Sequence, residues 1–298
     1  MFWIIPAIAS HFLWAMTNVG DKYIVSNRVQ NPYVYLSWYV LIGLISLVLA
    51  PFIGFQVPGL GVLGGLIAAG ILFLLGNLFF YKSLQLEEVT RVNIWWCLLP
   101  LFSLLISAVT VHDPISTNQI IAIALLVSAS AIGALHGRQS GFSFSRAFPL
   151  MVLACLLLGG YGVIFHQLTK TISFAVGFVW INLVMGACVV LVLGINRNFR
   201  RQFIFETKAV SSGGVLIILA INLVDKLATL INHWALSLQI SPLVFAMEGT
   251  QGIFVFGIAL LISWKNPNIV REKFDARNVL LKLVAIVLVG GGIVLLSV

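Results

Sequence analysis

Residues 214–238 read GVLIILAINLVDKLATLINHWALSL. At ~1.5 Å per residue, a helix of this length passes ~30 Å of hydrocarbon. The apolar residues alone would make it an ordinary membrane span. The polar ones set it apart. With Asp225 at 0° on a helical wheel, Asn232 falls near −20°, Thr229 near 40°, Asn222 near 60°, His233 near 80° and Lys226 near 100°. Leu223, Val224, Leu227, Leu230 and Ile231 fill the other side. One face, ~120° wide, is therefore polar for three turns while the rest suits lipid. Each ionisable group placed in the bilayer costs roughly 2.5–3.5 kcal/mol on insertion scales, so the stripe must turn inward. It lines a water or substrate pathway in one reading and forms a polar seam against a neighbouring helix in the other.

The rest of the chain agrees with a bilayer solvent. Of 298 residues, 60% are hydrophobic and only 9% charged, with 17 Lys/Arg and 9 Asp/Glu. A soluble domain carries ~25% charged residues. This balance excludes a cytosolic enzyme, a nucleic-acid-binding domain and a disordered chain. A membrane barrel would alternate polar and apolar residues, whereas the runs here are apolar all round and of helical length. The expected product is an integral, multi-pass, all-α protein of the plasma (inner) membrane. Its N-terminus, MFWIIPAIASHFLWAM, lacks a basic leader and a small-residue cleavage site and reads as the first span.

Turn signals divide the chain into ten spans. They run near residues 2–26, 33–55, 60–86, 89–110, 115–135, 148–170, 174–195, 214–238, 242–264 and 279–298. Asn31-Pro32, Pro58-Gly59, Glu87-Glu88 and His112-Asp113-Pro114 separate the first five, and Asn196–Lys208 and Lys265–Arg277 are basic loops. A polar connector at 136–145 splits the ten in half, giving a first five-helix repeat at 1–137 and a second at 145–298. The halves run alike. Span 3 ends Ser83-Leu84-Gln85-Leu86 and span 8 ends Ala235-Leu236-Ser237-Leu238; span 1 has Trp14-Ala15 and span 6 Tyr161-Gly162. Span 4 has Pro100 in its interior, and span 9 has Gly249. An odd number of spans per half forces the second to insert upside down, and such inverted repeats are a common transporter architecture with the site at their interface.

Several stretches carry a family resemblance. Trp14-Ala15 followed by Lys22-Tyr23, Phe80-Tyr81 followed by Leu84, and Leu98-Leu99-Pro100-Leu101 resemble the first, third and fourth helices of EamA-type members of the drug/metabolite transporter superfamily. Asp113-Pro114-Ile115-Ser116, followed by Gly133, is similar to the acidic lead into their fifth helix. Met247-Glu248-Gly249 is similar to the Glu-Pro of the ninth, with Gly in place of Pro. The acidic lead into the last helix is replaced by Trp264-Lys265. The resemblance implies a ten-helix carrier of small metabolites and leaves the substrate open.

The candidate substrate-binding residues are Asn18, Asn77, Asn222, Asp225, Lys226, Thr229, Asn232, His233 and Glu248. Glu248 lies ~10 Å into span 9, and His233 a similar distance back from the 8–9 turn, so the two are expected to meet. Such a pair is either a proton-coupling or substrate-amine site or a packing hydrogen bond. Span 3 carries Asn77, Tyr81, Gln85 and Glu88 on one stripe; span 1 carries His11, Asn18 and Lys22; span 4 carries Asn93, Trp96 and Pro100. Lys82, Glu87, Glu88 and Arg91 read as a solvated cluster, Trp95 and Trp96 as interface anchors, and His166 as a helix contact. The glycines at 64–65, 159–160 and 290–292 permit close helix approach; no strand precedes them, so they are not a dinucleotide fingerprint. Cys97, Cys155 and Cys188 lack ligand spacing and read as packing residues, so neither metal nor cofactor is expected.

The reading that unites these features is a secondary transporter of small polar or amphipathic metabolites, working by alternating access. Its partners would be a small-molecule substrate, the bilayer and, through Glu248, a coupling proton; nucleic acid is not among them, and a homodimer stays open. No GxxxxGK[ST] loop is present to spend ATP. The alternative is an intramembrane enzyme acting on lipid-linked substrates through His233 with Asp225 or Glu248. It lacks an HExxH-type motif or a nucleophile beside a base.

Charge sets the orientation. Lys22, Arg28, Arg91, Arg138, Arg146, Arg197, Arg200, Arg201, Lys208, Lys265, Arg271, Lys273 and Arg277 fall on the side reached after odd spans; only Lys170 falls on the other. The positive-inside rule then places both termini outside, opposite to many relatives. A cysteine introduced between residues 196 and 208 should be shielded from an impermeant thiol reagent added to intact cells, and rapid labelling there would reverse the orientation.

Overall fold

The computed structural model describes residues 2–111, 116–138, 141–265 and 276–297. The turn at 112–114, the adjoining Ile115 and most of the second basic loop lie outside the described residues. The first half contains α1 (Ile4–Asn27), α2 (Pro32–Gly43), a 3-10 turn (Leu44–Phe52), α3 (Leu60–Leu86), α4 (Val89–Trp95), α5 (Leu98–Thr110) and α6 (Thr117–Ala134). The second contains α7 (Phe148–Leu168), α8 (Phe174–Ile195), α9 (Arg197–Ala209), α10 (Ser212–Leu238), α11 (Ser241–Ala246), α12 (Glu248–Lys265) and α13 (Ala276–Ser297). Among the described residues, seven stretches are long and apolar enough to cross a membrane: 32–52, 60–86, 89–110, 148–168, 174–195, 212–238 and 241–262. The remaining expected spans are helical as α1, α6 and α13, and the count of ten rests on the sequence.

Local chemistry explains the boundaries. Asn31 caps α2 by accepting from the Tyr33 and Val34 amides at 2.9 and 3.4 Å, and Pro32 opens the helix. Ser173 and Ser211 cap α8 and α10 the same way. The fourth span breaks at Trp96–Cys97. Pro100 has no N–H to give the Trp96 carbonyl, and Leu99 N takes that carbonyl instead, at 2.9 Å. The ninth span breaks at the matching place, Met247, where Thr250 N bonds the Met247 carbonyl at 2.9 Å.

Two connectors differ from expectation. The polar link at 136–145 holds a small antiparallel hairpin, β1 (Leu135–Arg138) with β2 (Gly141–Phe144), pairing His136 with Ser143. The first basic loop is the helix α9. Asn196 caps it through the Phe199 amide at 3.0 Å, and Phe199 and Phe203, four residues apart, rest on the core.

The packing exchanges the halves. α3 lies along α7 as α1 lies along α10; α5 packs on α7 as α12 packs on α1; α8 meets α3 as α2 meets α10; and α6 pairs with α13. α3 and α10 each have 27 residues. Apolar faces point outward. On α1, Ile5, Ile8, Phe12 and Met16 are exposed, while Ser10, His11, Asn18 and Asp21 are buried. On α10, Leu223 and Leu227 are exposed and all six polar stripe residues are buried.

Close approach is real at two of the glycine pairs, and a Cβ on Gly65 would stand 2.9 Å from Leu168 Cδ2, where α3 meets α7. A Cβ on Gly159 would stand 2.9 Å from the Ser103 amide nitrogen, where α7 crosses α5. Gly64 and Gly290 face open space, so they do not serve this purpose. Gly159→Val should therefore lower the apparent melting temperature of the purified protein, with an overpacking penalty of ~1–3 kcal/mol. Gly257→Ala, in mid-α12 with nothing nearby, should leave it unchanged or raise it. Equal responses would show that α5 and α7 can separate freely.

Candidate functional site

α10 runs through the middle of the molecule beside α1, so its polar stripe faces the other half. Between the halves lies a cavity of about 60 Å³, room for a few waters. Eight of its lining residues come from the first half and eight from the second. Trp14, Tyr39, Phe73, Phe80, Trp96, Tyr161 and Phe245 supply aromatic walls, and Asn18, Asn77, Asp225, Asn232, Glu248 and Gln251 supply polar groups.

Six of the nine residues expected from the sequence meet there: Asn18, Asn77, Asp225, Thr229, Asn232 and Glu248. Asn222, Lys226 and His233 do not line it. The division follows the wheel. The cavity receives the sector from about −20° to 40°, while the sector from about 60° to 100° turns toward α2, α7 and α8. Asn222 bonds its own helix at the Ile218 carbonyl, 2.7 Å away. His233 stacks on Phe165 with ring centroids 3.9 Å apart, and its Nε2 meets the Tyr161 hydroxyl. Lys226 lays its ammonium 3.2 Å over the Tyr39 ring centroid, beside Gly43 and Asn182.

The expected Glu248–His233 contact is not formed. The depth estimate left out rotation: His233 points away, and α1 brings His11 to Glu248, Nδ1 to Oε1 at 3.6 Å. A hydrogen-bond chain fixes this wall. Asn93 Nδ2 donates to the Val89 carbonyl at 2.9 Å, which leaves Asn93 Oδ1 to accept from Asn18 Nδ2 at 3.0 Å and Gln251 Nε2 at 2.9 Å. Gln251 Oε1 then faces His11 Nδ1 at 3.3 Å, and His11 Nε2 faces the Val244 carbonyl at 3.4 Å. Four side chains from α1, α4 and α12 are thus set in one order. Asn77 bonds the Phe73 carbonyl at 2.8 Å, and Asn232 Nδ2 donates to Ser10 Oγ at 3.4 Å.

Other expected roles change on inspection. Lys22 does not reach the cavity; its Nζ donates to the Leu84 and Glu87 carbonyls at 2.5 and 2.8 Å, closing the end of α3. Arg91 and Glu87 are buried, at 1% and 7% exposure, with Arg91 Nε 3.7 Å from Glu87 Oε1, so that cluster is not solvated. Trp95 is a core residue against Phe148, whereas Trp96 is a cavity wall. His166 bonds the Leu236 carbonyl at 2.8 Å, a helix contact as expected. Sequence reading missed Asp21, Tyr39 and Gln251. Asp21 was legible: it falls three residues after Asn18 and ten after His11, on their face.

These features, a helical membrane body with a polar cavity between two similar halves, bear on a family. Residues 1–133 match the EamA-like transporter family. The resemblance read from the sequence therefore holds, and a membrane transporter of the drug/metabolite type is what the match supports. A solved protein crystal structure superposes on 98% of this chain and 95% of its own, with a TM-score of 0.63 at 13% identity, which shows a shared fold. No curated protein matches the sequence.

Asn93 is the hub of the wall, so Asn93→Leu should strand the Asn18 and Gln251 amides and lower stability by ~1–2 kcal/mol. In that background, Gln251→Ala should add little. Fully additive losses in thermal unfolding would show that the three side chains do not act as a unit.

Proposed function

We propose that the protein is a secondary transporter that moves small amphipathic metabolites by alternating access. The cavity wall, drawn equally from both halves, is the observation that carries this reading. The proposed units are residues 1–137 and 145–298, related as inverted five-helix repeats. The matched breaks at Trp96 and Met247 and the exchanged packing pairs support that relation. Rocking one unit against the other would open the cavity to either side.

The walls indicate the substrate class. Seven aromatic side chains suit an apolar or planar body, and four amides offer donors and acceptors. Asp225 and Glu248 favour a cationic group such as an amine. Ion or proton gradients would supply the energy, since the sequence lacks a phosphate-binding loop of the ATPase type.

Counterflow in proteoliposomes tests the reading. Labelled amines and amino acids should exchange without chemical change, and Asp225→Asn should slow that exchange by about tenfold or more while the protein inserts normally. Recovery of chemically altered substrate would favour the enzyme reading. Unchanged exchange in Asp225→Asn would remove Asp225 from the pathway.

A further inference from the structure

Beneath the cavity, toward the end of α1 that carries Lys22, sits a second polar cluster. Asp21, Asp225 and Lys226 are 2%, 9% and 5% exposed. Tyr35 donates its hydroxyl to Asp21 Oδ1. The Tyr35 and Tyr39 rings stand against Tyr81 with centroids 4.9 and 6.1 Å away. Thr229 Oγ1 stands 3.3 Å from Asp225 Oδ1, and the Tyr39 and Thr17 side chains neighbour that carboxylate. Lys226 lies over the Tyr39 ring. Asp21 Oδ2 and Lys226 Nζ are buried without a hydrogen-bond partner.

The charges do not balance. Two carboxylates and one ammonium are buried here. The neighbouring elements offer no second cation among the described residues. On α1, Lys22 is held at the Leu84 and Glu87 carbonyls, and His11 is engaged with Gln251 and Glu248. On α3, Tyr81 is neutral and Lys82 donates to the Tyr33 hydroxyl at 2.7 Å. On α4, Arg91 lies beside Glu87 and Glu88. α2 presents only tyrosines, and α8 presents Asn182, whose Oδ1 is also unpartnered. On α10, His233 is occupied by Tyr161 and Phe165. An uncompensated buried charge costs several kcal/mol. Asp21 does not line the cavity, and its Oδ2 is buried without a hydrogen-bond partner.

We infer that Asp21, Asp225 and Lys226 form a proton-binding site that holds one proton on the carboxylate pair. The step is simple addition: a carboxylate oxygen takes a proton from water and becomes a carboxylic acid. Asp225, with Lys226 and the Thr229 hydroxyl beside it, keeps the negative charge, and Asp21 holds the proton. The role in coupling rests on the transporter reading. A cationic group arriving at Asp225 from the cavity supplies the missing positive charge, so the proton leaves, and substrate and proton alternate.

Infrared spectroscopy of the full-length protein in lipid nanodiscs tests the site with the proton itself as probe. At about pH 7 free carboxylic acids are ionised, so a deuterium-sensitive acid carbonyl band reports buried protonated groups. Asp21→Asn should remove one carboxyl equivalent from that band. Lys226→Met should add one, because both acids must then be neutral. Glu248→Gln and Glu87→Gln identify the shares of Glu248 and Glu87, the other buried carboxyl groups among the described residues. A wild-type band in Asp21→Asn overturns the proposal; if that variant does not fold, a wild-type band in Lys226→Met overturns it alone. A band that grows when sodium is replaced by choline would mean a metal cation holds the site, and also overturns it. No substrate enters the measurement, so its failure leaves the counterflow result standing, and failed counterflow leaves the proton site standing.

Discussion

The hydrocarbon interior offers no hydrogen bonds, and the structure is arranged around that constraint. Every polar side chain in a span must find a partner inside the protein or face enclosed water. For α10 this means that the face bearing Asp225, Thr229 and Asn232 cannot look outward, while Leu223 and Leu227 can. α1 obeys the same requirement with Asn18 and Asp21 inside and Phe12 and Met16 outside. Once both stripes turn inward, α1 and α10 must lie together. The cavity is what remains between them where the aromatic side chains fail to fill the space.

The same constraint acts on the backbone. A broken helix leaves carbonyls and amides to be satisfied, which lipid cannot do. The breaks at Trp96–Cys97, which is buried, and Met247, which is half-buried against the core, are tolerated because both reuse short-range bonds, Leu99 N to Trp96 and Thr250 N to Met247. Glu248 sits at the second break and Trp96 at the first, so each interruption delivers a side chain to the cavity. Around them, the ordered chain of Val89, Asn93, Gln251 and His11 links α1, α4 and α12. Such a wall is stiff, and a stiff wall suits units that move as bodies.

Much of this was legible in the residues, and the part that was not has a physical cause. Periodicity places all six polar residues of α10 on one face, and burial of all six follows. The matched interruptions were readable because Pro100 and Gly249 weaken helices. The basic segment 197–209 reads as a loop by charge, yet a capped turn and two phenylalanines four residues apart make it a helix. Rotation defeated the pairing of Glu248 with His233. Depth along a span follows from counting residues, but the neighbour a side chain meets depends on how helices pack, and 80° of rotation exchanged His233 for His11. Lys22 drew attention away from Asp21, although the lysine closes a helix end and the aspartate is the buried member.

The two acidic groups of the cavity therefore stand in different surroundings. Glu248 has the His11 imidazole beside it, Nδ1 to Oε1 at 3.6 Å, and its Oε2 is buried without a hydrogen-bond partner. Asp225 belongs to the buried cluster that also holds Lys226 and Asp21. On the transporter reading proposed above, both acidic groups would attract a cationic group, and they would differ in what lies behind them: the wall of Asn93, Gln251 and His11 behind Glu248, and the tyrosines and Asp21 of the α1–α2–α10 side behind Asp225.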